Sequence, residues 1–193
     1  MYSTRLLRYA GWSAYLSAAA IIIGFVMLIL FFSVGEPFGT INDAASVFQV
    51  LFMLPLVLML YRINTENPRL LNVVAMTVGI VGIIISAVGQ SLLVIRVITY
   101  QQSLAFLPAG AAIGVWLLLI SYQASTSRLL PRRLVWAGIL AGIGYLVTVV
   151  GFLFGGQDSL VFYAGRLILV VSYPVWALWL GRVCLSGKLL EFA

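Results

Sequence analysis

Charged and turn-forming residues cut the chain into six long apolar runs, at about 10–33, 44–61, 71–98, 104–124, 134–154 and 160–181. A helix needs about 20 apolar residues to cross a hydrocarbon core of about 30 Å. The runs match that length, and the connections between them are too short to hold anything else. Gly35 to Asp43 contains Pro37 and Gly39, Arg62 to Leu70 contains Pro68, and Ser125 to Arg133 contains Pro131; Thr99 to Ser103 and Gly155 to Ser159 complete the set. Each connection carries residues that stop a helix. The expectation is an all-α, polytopic transmembrane bundle of six helices, forming one domain over residues 1–193.

Composition supports this reading. Hydrophobic residues make up 63% of the chain and charged residues 8%, with a mean hydropathy of +1.14, far from the quarter charged of a water-soluble domain. The net charge of +6 does not point to nucleic acid. A nucleic-acid face gathers its basic groups on one wetted surface, whereas here they stand singly or in small clusters at the ends of apolar runs. One cysteine, Cys184, cannot form an internal disulfide. With no histidine in the chain, histidine-ligated haem, zinc and copper are excluded, as is a histidine-dependent nucleophile. No cofactor is expected.

The basic residues also orient the helices, because lysine and arginine are retained on the cytoplasmic side. With both termini inside, Arg5, Arg8, Arg62, Arg69, Arg128, Arg132, Arg133, Arg182 and Lys188 are cytoplasmic, nine of the eleven basic residues. Arg96 and Arg166 fall elsewhere, and Arg96, closing the third run, is expected at an interface. Arg5 and Arg8 ahead of an apolar stretch also suit a signal peptide, but this run is longer than an ordinary signal core, so a retained first span is expected. A faint internal echo relates Ala10-Gly11 to Gly24-Phe25 with Ala137-Gly138 to Gly151-Phe152 at identical spacing. It joins spans of like direction, unlike the inverted repeats of many transporters.

Arg166, seventh in the run 160–181, is the first candidate for function. A charge at that depth is costly unless it snorkels to the interface, meets water or finds a partner. The candidate ligand or ion-pair site is Arg166 with Asp43, Glu36 and Asp158 as acids, Gln49 and Gln90 as neutral partners, and Tyr163 beside it. The alternative is plain snorkelling along its aliphatic stem. Asp43 and Asp158 also stand where a carboxylate caps a helix start. Tyr163, Ser172 and Tyr173 make the sixth run the best candidate for an inward-facing helix. Trp12, Trp136, Trp176 and Trp179 are expected in an interfacial belt, with Trp116 and Tyr145 deeper.

Small residues gather on faces. Ala75, Gly79, Gly82, Ser86 and Gly89 recur at steps of three and four in the third run, and Gly110 with Gly114 and Gly138 with Gly142 are GxxxG pairs. Such faces let helix backbones approach closely in lipid, within the bundle or against a partner. Pro55, Pro108 and Pro174 interrupt the second, fourth and sixth runs, each removing one backbone hydrogen bond.

The stretch RLLPRRLVWAGILAGIGYL, Arg128 to Leu146, with PVWALWLGR at Pro174 to Arg182 and RYAGWSAYL at Arg8 to Leu16, resembles a broad family of uncharacterised bacterial six-helix membrane proteins. The resemblance covers most of the chain and implies the fold and a bacterial origin; it supplies no site residue, and the expected location is the inner membrane. The expected function is non-enzymatic: an accessory subunit of a membrane complex, partnered by other membrane subunits or by a second copy, or a binder of lipid or a hydrophobic small molecule. The alternative is a small transporter or channel built around Arg166.

Overall fold

The structure is a computed structural model describing residues 4–64 and 68–187; Lys188, counted above with the basic ends, lies outside the described residues. Among these residues it contains helices and turns, and six helical segments are long and apolar enough to cross a membrane. The first span is α1 (Thr4–Val34) and the second is broken into α2 (Phe38–Leu51) and α3 (Leu54–Ile63). The third is α4 (Arg69–Val94). The fourth comprises α5 (Tyr100–Ser103), a 3-10 turn at Leu104–Phe106 and α6 (Ala109–Thr126). α7 (Arg132–Gly155) and α8 (Leu160–Leu185) complete the six.

The observed bounds lie within about four residues of the expected ones except at the starts of the first two spans, each six residues early: α1 begins at Thr4, and α2 begins at Phe38 and takes in most of the expected connection. Asp43 therefore stands inside α2 rather than at its start, and its carboxylate accepts from Asn42 Nδ2 at 3.1 Å. Asp158 is not a cap either: Ser159 caps α8, its Oγ accepting from the Val161 amide at 3.2 Å. The prolines divide. Pro55 sits in the first turn of α3, just after the break, and Pro108 immediately precedes α6, whereas α8 runs unbroken through Pro174. Gly156, with φ of +71°, turns the chain out of α7 in a conformation that side-chain-bearing residues rarely adopt.

The break in the second span is repaired by the first. The Met53 amide bonds Val50 O, and the Leu56 amide bonds Met53 O, each one residue short of the α-helical partner. Gln49 O and Phe52 O thereby lose their helical donors. Ser17 Oγ donates to Gln49 O and Ser13 Oγ to Phe52 O, both at 2.8 Å. Serines one turn apart on α1 thus satisfy two carbonyls that lipid cannot. Interhelical hydrogen bonds in membranes average about 0.6 kcal/mol, so replacing both Ser13 and Ser17 by alanine is expected to destabilise the bundle by about 1 kcal/mol. A thermal-unfolding series in detergent, comparing each single variant with the double, checks this.

Each span packs on those adjacent in sequence, and α8 closes on α1, so the six spans form a ring in chain order. Neighbours run antiparallel. Gly11 on α1 faces Leu185, Gly79 on α4 faces the Trp116 ring, and Gly151 on α7 faces the backbone of Phe162. This alternation gathers Arg5, Arg8, Arg62, Arg69, Arg128, Arg132, Arg133 and Arg182 at one end of the ring.

The small-residue faces are used inside this ring. A methyl group on Gly114 or on Gly142 would stand 2.8 Å from the other's carbonyl oxygen, and one on Gly82 would stand 3.0 Å from Ala109 O. Gly79 lies under Trp116, and Gly138 against Ser121 and Trp176. Gly110 has more room, its nearest neighbour being Tyr145 Cδ1 at 3.5 Å, and Ser86 is only half-buried. Trp12 and Trp136 are exposed, at 58% and 53%, as a belt requires; Trp176, at 1%, is not in the belt but in the core. Its ring meets Trp116 edge-on at 6.1 Å.

Candidate functional site

The middle of the ring holds neutral hydrogen-bonding groups from four spans. Ser17 lies midway along α1, Gln49 midway along the broken second span, Tyr145 midway along α7 and Tyr173 midway along α8. All four residues are buried. Gln49 Nε2 donates to Tyr145 OH at 3.3 Å and lies 3.3 Å from Met53 Sδ. Ser17 Oγ and Tyr173 OH are 2.5 Å apart. A serine hydroxyl has one proton, and that of Ser17 goes to Gln49 O, so Tyr173 is the donor to Ser17. The result is a directed chain from Tyr173 through Ser17 to the Gln49 carbonyl. Tyr145, an acceptor toward Gln49, does not use its own proton in that bond.

Aromatic rings continue the site toward the basic end. Tyr173 and Trp176 rings are 5.8 Å apart, and Trp176 meets Trp116. Trp116 Nε1 and Ser121 Oγ are buried without a hydrogen-bond partner among the described residues. An unmet donor in an apolar interior costs about 1–3 kcal/mol, and Ser121 Oγ lies against Gly138 of α7 beside the Trp176 ring. Ser172 and Thr148 do not join the network: each bonds a carbonyl one turn back on its own helix, Ile168 O at 2.6 Å and Gly144 O at 2.7 Å.

A second polar group closes the basic end. Asn64 Nδ2 donates to Gln123 Oε1 at 2.8 Å, and Asn72 Nδ2 donates to Tyr61 O at 2.8 Å and to Asn64 O at 3.3 Å. These bonds tie the end of α3 to α4 and α6, meeting carbonyls that the helix end leaves open. The sequence reading passed over them, although asparagines on either side of Pro68 were the available signal.

The site expected around Arg166 is not assembled as a unit. Arg166 is exposed on α8, with its guanidinium carbon 5.1 Å from the centre of the Phe162 ring. Glu36 accepts from the Thr40 amide and hydroxyl at 3.2 and 3.0 Å, and Asp43 keeps Asn42. Gln90 is half-buried on α4, which packs on the second and fourth spans, whereas α8 packs on α7 and α1. Tyr163 is exposed beside Arg166. Of the candidate residues only Gln49 reaches the midplane network, with Tyr145 and Tyr173 rather than Arg166 as its company.

Among the described residues, no group of three or more cysteine, aspartate or glutamate side chains is close enough to hold a metal ion. The midplane groups are neutral donors and acceptors set in an apolar wall. Neutral groups of this kind suit an uncharged molecule with one or two hydrogen-bonding groups better than an ion, whose desolvation they offset poorly. Comparisons of the chain with protein-family models, with curated proteins and with solved structures find no match.

Proposed function

We propose that this integral membrane protein is a non-enzymatic binder of a small, uncharged, largely apolar molecule held at the centre of the helix ring. The observation that carries the reading is the four-span network at the bilayer midplane. Polar side chains are costly in lipid, and within membrane bundles they mark binding sites and pathways more often than elsewhere. Gln49 and Tyr145 supply hydrogen bonds, and the rings of Tyr173, Trp176 and Trp116 supply flat apolar surface. The positive-inside rule supports placing the basic end in the cytoplasm.

The other readings have less behind them. Leu56, Leu60, Trp116 and Trp176 are fully buried on the basic side of the network, which favours binding over conduction. The glycine faces that motivated a role as accessory subunit are largely consumed between helices of the same chain.

The test is extraction from native membranes in mild detergent, followed by mass spectrometry of retained small molecules. The wild type is expected to retain one molecular species in near-stoichiometric amount. Gln49→Leu and Tyr173→Phe are expected to lose it at least tenfold, the effect of about 1.4 kcal/mol, while keeping most of their thermal stability. A wild type that carries nothing above background, or variants that retain the same species unchanged, would overturn the proposal.

A further inference from the structure

We propose that Arg166 holds the phosphate of an anionic phospholipid at the membrane surface where α7 turns into α8, a site separate from the ring's midplane. Among the described residues Arg166 is the one basic residue set more than four residues inside a span from both of its ends, and it is exposed. Its guanidinium carbon lies over the ring of Phe162, one turn nearer the start of α8. The side chain therefore runs back along its helix toward the surface, as a snorkelling arginine does. That path ends at the level of the first turn of α8, which begins at Leu160.

The surroundings fix the kind of anion. Phe154 and Leu160, at the two sides of the α7–α8 turn, are 88% and 86% exposed, and Val161 and Leu167 on α8 are also exposed. Apolar surface so open around the α7–α8 turn and the first turns of α8 calls for acyl chains against it, so an anion that meets Arg166 there arrives attached to them. Cation–π contact with Phe162 leaves the N–H fork free to meet two oxygens at once, the geometry in which arginine binds phosphate. Tyr163, one turn back on the same side and exposed, places a hydroxyl within the same surface layer. A dissolved anion would have no reason to leave water for this site, whereas a phosphodiester headgroup already lies at that depth.

Photo-cross-linking tests the assignment. The full chain is placed in phosphatidylcholine bilayers carrying a small fraction of a phosphatidylglycerol with a photoactivatable headgroup, and labelled peptides are mapped. Segment 160–167 is expected to label in the wild type, to fall at least tenfold in Arg166→Gln, and to recover in part in Arg166→Lys. Labelling near Arg132 and Arg133, at the opposite surface, is expected to persist in all three and reports that the bundle is intact. Unchanged labelling of 160–167 in Arg166→Gln would overturn the proposal, as would equal labelling by a phosphatidylcholine probe. Competition by millimolar inorganic phosphate would overturn the lipid assignment in favour of a free anion.

Discussion

Leucine in place of Gly165 is expected to prevent the bundle from assembling, with little monodisperse protein recovered in detergent. A Cβ at this position would fall on the backbone nitrogen and hydroxyl of Thr148, and one at Gly151 on the backbone of Phe162. Overpacking costs about 1–3 kcal/mol where side chains can shift. Here the obstacle is the main chain of the facing helix, so α7 and α8 must separate along their length. A loss of about 4 kcal/mol or more places Gly165→Leu and Gly151→Leu in the range where single substitutions unfold domains. Gly110→Ala is the control, because its added methyl would stand at ordinary contact distance from Tyr145. Size-exclusion profiles and unfolding temperatures of the three variants decide the matter. A well-folded Gly165→Leu would mean that the α7–α8 seam is not as close as described.

Trp116 separates two contributions that a single substitution would confuse. Its side chain is fully buried, lies on Gly79, and meets Trp176 edge-on. Trp116→Ala removes this volume and is expected to cost about 3–5 kcal/mol, with a drop in unfolding temperature of about 10 °C. Trp116→Phe keeps an aromatic ring while deleting Nε1, which has no partner among the described residues. Removing an unsatisfied donor offsets part of the lost packing, so the phenylalanine variant is expected within about 1 kcal/mol of the wild type. If the bound molecule meets that indole N–H, Trp116→Phe also lowers its retention while stability holds. An equal loss of stability in both variants, despite the unequal volumes removed, would show that the indole itself rather than ring volume carries the contribution.

Much of the architecture was legible before any coordinates. Span number followed from run length, since the bilayer sets a fixed length for a helix, and the gathering of basic residues at one end followed from alternation. The inner and outer faces of each helix were harder to assign. In a water-soluble bundle, polarity separates core from surface, but lipid is as apolar as the core, so Trp176 and Trp136 look alike in sequence although one is buried and the other exposed. Gln49 stood out as a polar residue in an apolar run, yet its partners Tyr145 and Tyr173 lie far along the chain, and nothing local encodes which of several tyrosines it meets. Asp43 misled because proline and glycine just before it suggested a loop, whereas α2 starts immediately after Pro37. The broken second span was foreshadowed by Pro55; its repair by Ser13 and Ser17 was not, because it depends on how α1 is placed beside the break.

Closure of the ring by α8 on α1 carries a consequence for biosynthesis. A chain made from its amino terminus delivers its spans to the bilayer one at a time, and until α8 enters, α1 has no second neighbour. Over that interval Ser17 and Gln49 lack Tyr173, and the backbone faces of Gly144 and Gly151 stand open to acyl chains. The sixth span is thus the stave that tightens the barrel. A nascent chain arrested before it would display to lipid the amides and hydroxyls that the finished ring encloses.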